Sequence, residues 1–304
     1  MKKKIVFLTS AIVMAVVSMW GCGSDDNSAT KANDAGKATT TTQSQTTTAE
    51  TTTPEPTTEE PTTSSYSGDY SEFSTEVVEY GVGTRRLDDG RFEGAVYCQN
   101  KYSQYKVEFI KENEKVIYLT FDEGYENGYT GAILDTLKEK GVKAVFFVTM
   151  DYVKREPDLV KRIIAEGHVL GNHSVNHKSM PTLSVEEQKN EYMGLHNYVK
   201  ENFNYDMYLF RPPMGHFSEQ SLAIAGDLGY TTVLWSFAHV DWKVDEQPSH
   251  EQALNTTVER LHNGAIYLLH AVSESNTSIL GDFIDKAREQ GYEFKEYTRD
   301  SIGS

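Results

Sequence analysis

Between residues 115 and 291 the chain alternates short apolar runs with longer amphipathic stretches. The runs KVIYLTF (115–121), KAVFFVT (143–149), HVLGNH (168–173), MYLFR (207–211), TTVLWS (231–236) and GAIYLLH (264–270) are of strand length and predict strands. Helices are predicted between and after them. TGAILDTLKEKG (130–141) closes on glycine and PDLVKRIIAEG (157–167) opens on proline. Four further helical stretches cover 184–203, 218–229, 250–262 and 278–291. Strand and helix in strict alternation argue for a mainly parallel α/β sheet with helical crossovers. A closed or nearly closed barrel and an open sheet fit that alternation equally. No glycine-rich phosphate-binding pattern opens any of these helices, which argues against a nucleotide site.

The chain before residue 115 lacks this rhythm. Residues 76–114 carry hairpin-like turns without a clean period, and are expected to pack on the barrel as an N-terminal extension to a main domain at 115–300. Residues 23–75 are rich in Thr, Pro and Glu and nearly free of aliphatic side chains. Such a segment cannot bury enough surface to offset chain entropy, so a disordered stalk is predicted. Residues 1–22 place Lys2–Lys4 before an apolar run from Ile5 to Val17, then Gly21 and Cys22. That is the layout of an export signal, too short for a comfortable membrane span. Cys22 stands where the cleavage box of bacterial lipoproteins carries its lipidated cysteine. The expectation is an extracytoplasmic chain, anchored by lipid to the outer face of the cytoplasmic membrane. An ordinary cleaved signal and an uncleaved anchor helix are the alternatives.

Composition narrows the partners. A formal net charge of −16 argues against nucleic acid or an anionic surface. With Cys22 in the signal, Cys98 is alone in the mature domain, so stability must come from a core and not from a disulfide.

Polar residues recur at or just past the ends of the predicted strands: Asp122-Glu123, His173 with His177, Arg211, Asp241 and His270. In α/β barrels those ends converge on one face, where the loops build the active site. Each has an unremarkable reading when taken singly. His173 and His177 could be a solvated or capping pair, Arg211 could brace the two prolines after it, and His270 could be a satisfied core histidine. Convergence changes the picture: two imidazoles, a spare carboxylate, a cation and a second acid/base group form a hydrolytic set.

The strings TFDEG, HSVNH, RPPMG, HVDW and YLLH resemble, in order and rough spacing, the motifs of the polysaccharide deacetylases, the NodB-like carbohydrate esterases. FDEGYENGYT, VDWKV and IYLLHAVS look closest to the branch acting on N-acetylmuramic acid of peptidoglycan, on the route to muramic δ-lactam. The likeness spans about residues 115–297 and is weaker back to about 80. It implies a distorted (β/α) barrel of the NodB type and a metal-dependent N-deacetylase acting on peptidoglycan glycan strands. By position it makes Asp122 the general base, Arg211 its partner, His270 the general acid, and Asp241 the group that orients His270. Glu123, His173 and His177 become the ligands of a divalent metal. Two imidazoles and a carboxylate suit Zn²⁺ best, with Co²⁺ and Mn²⁺ as alternatives. Trp242 and Leu268 would wall the sugar and acetyl pocket, and the backbone N–H of Met214 would face the oxyanion.

Glu123 departs from the aspartate usual in the family. Its extra methylene adds roughly 1.5 Å of reach, against metal–oxygen distances of about 2.0–2.2 Å. Three arrangements follow: ligation with a shifted turn, which is the expectation here, a metal held by the histidines and waters, or weak binding. Other acetylated glycans (N-acetylglucosamine polymers, chitin oligomers, O-acetyl xylan) are the nearest alternative substrates. A non-catalytic glycan-binding lipoprotein is the alternative of a different class.

Overall fold

The computed structural model describes residues 68–302, so the predicted signal, Cys22 and the stalk as far as residue 67 lie outside the described residues. In chain order the elements are β1 (Val78–Glu79), α1 (Glu93–Lys101), β2 (Val107–Glu108), β3 (Val116–Glu123), α2 (Thr130–Lys140), β4 (Ala144–Val148), α3 (Met150–Arg155) and α4 (Pro157–Ala165). They continue with β5 (Val169–Asn172), α5 (Val185–Phe203), β6 (Leu209–Phe210), β7 (His216–Phe217), α6 (Glu219–Asp227) and β8 (Thr231–Val233). The last are α7 (His250–Glu259), β9 (Ala265–His270), α8 (Glu274–Glu289) and β10 (Glu293–Phe294). All six predicted strands and all six predicted helices are present. Serine caps help to set the helix starts: the side chains of Ser184, Ser218 and Ser249 each accept a backbone N–H of the following turn.

The main sheet is parallel and runs β9-β3-β4-β5-β6-β8-β2, with β10 beside the start of β3. Just past β8, Phe237 bridges to Tyr267 of β9, and the N–H of Ser236 donates to the carbonyl of Ile266 at 2.9 Å. The sheet is therefore curled until the segment after β8 meets β9 through a single bridge while β2 stays an edge strand, which resolves the barrel-or-sheet alternative as a curled half-barrel, a distorted (β/α) barrel.

Strand pleating sorts side chains between two cores. Val116 and Tyr118 of β3, Val145 and Phe147 of β4, Val169, Leu209, Val233 and Ile266 form one cluster inside the curl. Ile117, Leu119 and Phe121, with Phe146 and Leu170, form another with the helices. Gly171 follows this logic: a Cβ there would lie 2.4 Å from the ring of Phe147, so only glycine lets that ring occupy the curl.

Two boundaries move. The stalk was expected to run to residue 75, yet Tyr70 is buried, Phe73 packs on the helix-side core, and Tyr70 Oη donates to Asp227 Oδ2 at 3.0 Å. The two aromatics of this stretch supply apolar area that the Thr/Pro tract lacks. The segment 76–114 does more than pack on the barrel. Its β2 is an edge strand of the main sheet, and β1 pairs with β7.

Candidate active site

Residue parity carries five of the candidates into the curl. On β3 the inward positions are even, and on β5 and β6 odd, so Asp122, His173 and Arg211 continue the inward rows of Tyr118, Val169 and Leu209. On β9, Leu268 and His270 continue the row of Ile266, and His270 is the register partner of Asp122. Asp122, His173, Leu268 and His270, with His177, Met214 and Trp242, border a cavity of about 570 Å³ at the C-terminal ends of the strands, and Arg211 lies buried behind Asp122. Tyr125, Trp235 and Val272 complete much of its apolar wall.

The Asp122 side is rigid. Arg211 is fully buried; its Nη1 donates to Asp122 Oδ1 at 2.8 Å, while Nε and Nη2 donate to the carbonyls of Val233 and Leu234, each at 3.0 Å. Its guanidinium stacks on Phe147. Burial alone would raise the Asp122 carboxyl, but Arg211, then His173 and His270, outweigh it and hold it below the usual carboxylate range. His173 Nδ1 lies 2.8 Å from the carbonyl of Arg211, which fixes the proton on Nδ1 and leaves Nε2, 3.6 Å from Asp122 Oδ2, as the lone-pair nitrogen. Burial lowers the pKa of His173 to about 4 and lowers that of His177 as well, so both imidazoles are neutral near pH 7.

The opposite side is built from Asp241 and His270. Asp241 Oδ1 accepts from His270 Nδ1 at 2.7 Å, and Oδ2 accepts the His270 backbone N–H at 2.8 Å. Burial pulls the His270 pKa down, yet Asp241 more than compensates and the net displacement is upward. A carboxylate kept ionised thus faces an imidazole kept protonated, the division of labour that acid–base hydrolysis requires. The Trp242 ring meets His270 edge-on at 5.4 Å and is 49% exposed, as is Tyr125 at 48%, so both offer open faces to a ligand. Met214 sits at the rim with φ 59°, a left-handed conformation held where β1 braces the loop through Tyr80 N–H to the Gly215 carbonyl at 3.3 Å.

The expected metal set is not assembled. His173 and His177 stand with ring centroids 4.8 Å apart, on a loop that is not helical; Ser174 and His177 both take positive φ. Glu191 of α5 accepts from Asn176 N and Nδ2, each at 2.7 Å, and so holds this loop. Glu123, however, does not reach the cavity. β3 runs two residues past its predicted end, with Glu123 still in register with Val148, so pleating turns Glu123 to the helix side. There it is fully buried, Oε1 accepts from Thr130 Oγ1 at 3.3 Å, and Oε2 finds no donor among the described residues. The same hydroxyl also contacts Glu126, and one proton cannot serve two carboxylates. Burial, then Glu126, raise the Glu123 pKa well above the carboxylate range. No group of three or more His, Cys, Asp or Glu side chains among the described residues is placed to hold a metal ion. The residues present therefore do not fit the three-ligand set of Glu123, His173 and His177.

Replacing Glu123 with Gln tests this placement. The unfolded carboxyl releases its proton near the ordinary value of 4.5 while the folded one retains it. Glu123 therefore withdraws stability as pH rises above that value. Glu123→Gln should match the parent at pH 4 and exceed it at pH 8 by on the order of 1 kcal/mol in denaturant titrations. Its Zn²⁺ affinity by calorimetry should be unchanged, whereas a lost metal site would put Glu123 back among the ligands.

Sequence reasoning did not find Tyr125, Trp235, Asn276 or His239. Tyr125 lies inside the FDEGYENGYT string, His239 opens HVDW and Trp235 falls in the strand run TTVLWS, whereas Asn276 carries no signal until α8 is folded against the loop after β8. A second cavity of the same volume lies at β2, but its buried charges pair with each other, Lys111 Nζ donating to Glu108 Oε1 at 2.9 Å.

Comparison with known proteins agrees with the geometry. A family model described as polysaccharide deacetylase matches residues 110–233, which hold Asp122, the histidine pair and Arg211. The peptidoglycan-N-acetylmuramic acid deacetylase PdaA of Bacillus subtilis is 46% identical over 183 residues, 60% of this chain and 70% of that one. A peptidoglycan-N-acetylglucosamine deacetylase of Bacillus cereus is 34% identical over 192 residues, 61% of this chain and 87% of that one. The solved structure of Bacillus subtilis PdaA, a family 4 carbohydrate esterase, superposes with a TM-score of 0.70 at 38% identity, covering 75% of this chain and 97% of that one. With the curled parallel sheet, the buried arginine–aspartate pair and the aspartate–histidine pair at its strand ends, the chain belongs to the polysaccharide deacetylase family.

Proposed function

We propose that this chain removes the N-acetyl group of N-acetylmuramic acid in peptidoglycan glycan strands, on the route to muramic δ-lactam. The observation that carries the chemistry is the pairing of Asp122 with Arg211 and of His270 with Asp241 on neighbouring strands across one cavity. The choice of sugar is supported by the likeness to the muramic acid deacetylase.

Amide hydrolysis needs an activated water and a protonated leaving nitrogen. Asp122, ionised and held by Arg211, takes a proton from water as its oxygen attacks the acetyl carbon. As the carbon–nitrogen bond breaks, His270 Nε2 gives its proton to the amine, and Asp241 stabilises the imidazolium until then. Acetate and a free amino sugar leave. Leu268, Trp242 and Trp235 enclose an apolar space suited to the acetyl methyl and a sugar face.

Deacetylases of this family are generally metal-dependent. Here His173 and His177 offer two nitrogens without the third protein donor expected from Glu123, and Zn²⁺, with Co²⁺ or Mn²⁺ as alternatives, is the ion we propose to add back. The reading also places the chain on the wall side of the membrane, on a lipid at Cys22, supported by the lysine–apolar–cysteine layout of residues 1–22.

The test is acetate release by the full chain, stripped of metal and then supplied with each ion. Substrates are peptide-free peptidoglycan strands, N-acetylglucosamine oligomers and acetylated xylan. Fastest release from the muramic-containing strands is expected. Equal or faster release from the oligomers or xylan would move the assignment to that substrate, and retention on glycan without any acetate would make the chain a binding protein.

A further inference from the structure

A third side chain holds Asp241 where it meets His270. Its Oδ2 takes a close hydrogen bond from Asn276 Nδ2, in addition to the His270 backbone N–H. Asn276 is buried in the first turn of α8, and neither it nor His239 borders the cavity. The amide has one workable orientation. Its NH₂ must face the carboxylate, so its carbonyl faces His239, whose Nε2 lies 3.1 Å from Asn276 Oδ1 and 3.7 Å from Asp241 Oδ2. Flipped, the amide would set oxygen against oxygen. His239 must then carry its proton on Nε2 and donate. Gln247 ties the same loop to the start of α8, its Nε2 donating to the Asp241 carbonyl and its Oε1 accepting from Ser275 Oγ, each at 2.7 Å.

We infer that Asn276, with its amide oriented by His239, is a positioning residue for the acid step, fixing the Asp241 rotamer whose Oδ1 holds the Nδ1–H of His270. The inference rests on the proposed deacetylation, in which His270 Nε2 delivers the proton to the leaving amine. A proton fixed on Nδ1 is what leaves the second proton of the imidazolium on Nε2, facing the cavity. Without the Asn276 amide, Oδ2 keeps only the backbone N–H, and the carboxylate gains freedom to rotate off the ring. An aspartate at 276 would set a second carboxylate against the first.

The charged and titratable groups around His270 are Asp241 in the loop after β8, Asp122 on the neighbouring strand β3, Arg211 just past β6, and His177 on the loop after β5. Only the first depends on Asn276. Loosening it weakens the largest influence that raises the His270 pKa, leaving Asp122 to oppose burial and Arg211, both of which lower it. The alkaline limb of the activity profile, where His270 loses its proton, must therefore move to lower pH.

The experiment uses the full chain with Asn276→Ala and His239→Phe. In the first, kcat for acetate release should fall about tenfold with KM little changed, and the alkaline limb should shift to lower pH. The titration of His270 by NMR, read without substrate, should move the same way. A smaller shift of the same sign is expected in His239→Phe, which leaves the Asn276–Asp241 bond in place and serves if Asn276→Ala does not fold. An unmoved His270 titration in a folded Asn276→Ala chain would overturn the inference, as would an unmoved one in His239→Phe if that chain alone folds. Because the titration needs no turnover, failure of the proposed substrate would leave this result standing, and the reverse also holds.

Discussion

Asp122→Asn is expected to lower kcat for acetate release by on the order of 10²–10⁴-fold, with KM within about threefold of the parent. The amide keeps the shape of the side chain, and its oxygen can still accept from Arg211 Nη1, so the cavity wall should survive. What is lost is the one carboxylate that borders the cavity among the described residues, since Glu123 faces the helices and is held protonated by burial. His173 and His177 are neutral near pH 7 and in principle basic, but the lowered pKa of each makes it a poor proton acceptor. If catalysis runs through Asp122, kcat and kcat/KM fall together and no pH restores them. A variant retaining a tenth of parent activity would assign the base elsewhere. Circular dichroism and a melting curve on the same preparation separate lost chemistry from lost fold.

Much of this site could be read from the sequence because strand periodicity does two jobs. The apolar runs reveal the strands, and the alternation within each run says which side its last residue faces. Applied to β3, the rule places Asp122 with Tyr118 and Thr120; applied once more it places Glu123 with Phe121, away from the cavity. The expectation of ligation came from the family resemblance and assumed that the strand stops before Glu123. It does not stop, because Asp122 and Glu123 keep pairing with Phe147 and Val148 of β4. The acid side was half legible. Asp241 and His270 announce themselves at strand ends, whereas Asn276 precedes the stretch read as helix and is one polar residue among many. Its meaning comes only from the packing of α8 against the loop after β8. The same holds for β1 and β2: two-residue strands have no period to detect, and partners more than a hundred residues away decide them.

Arg211→Met should be the most destabilising single change at this site, by about 3–5 kcal/mol, against a total stability of about 5–15 kcal/mol for a typical domain. Methionine fills much of the space over Phe147 but supplies no donors. The Asp122 carboxylate is then buried without its partner, and the carbonyls of Val233 and Leu234 lose theirs. The pH dependence separates the two losses. In the parent, the depressed Asp122 pKa contributes stability above the ordinary value of 3.8, which is lost as pH falls through the folded-state value. In Arg211→Met, burial is no longer opposed by the guanidinium, so the Asp122 pKa must rise and the carboxyl takes up a proton on folding. The deficit relative to the parent should therefore be largest near neutral pH and shrink toward pH 4. The carbonyl losses contribute the same amount at every pH. A double-mutant cycle with Asp122→Asn completes the argument, because Arg211→Met should cost at least about 1 kcal/mol less when residue 122 carries no charge. Equal costs in the two backgrounds, with no trend in pH, would reduce Arg211 to a packing and carbonyl-capping residue and leave the ionisation of the base to be explained by His173 and His270.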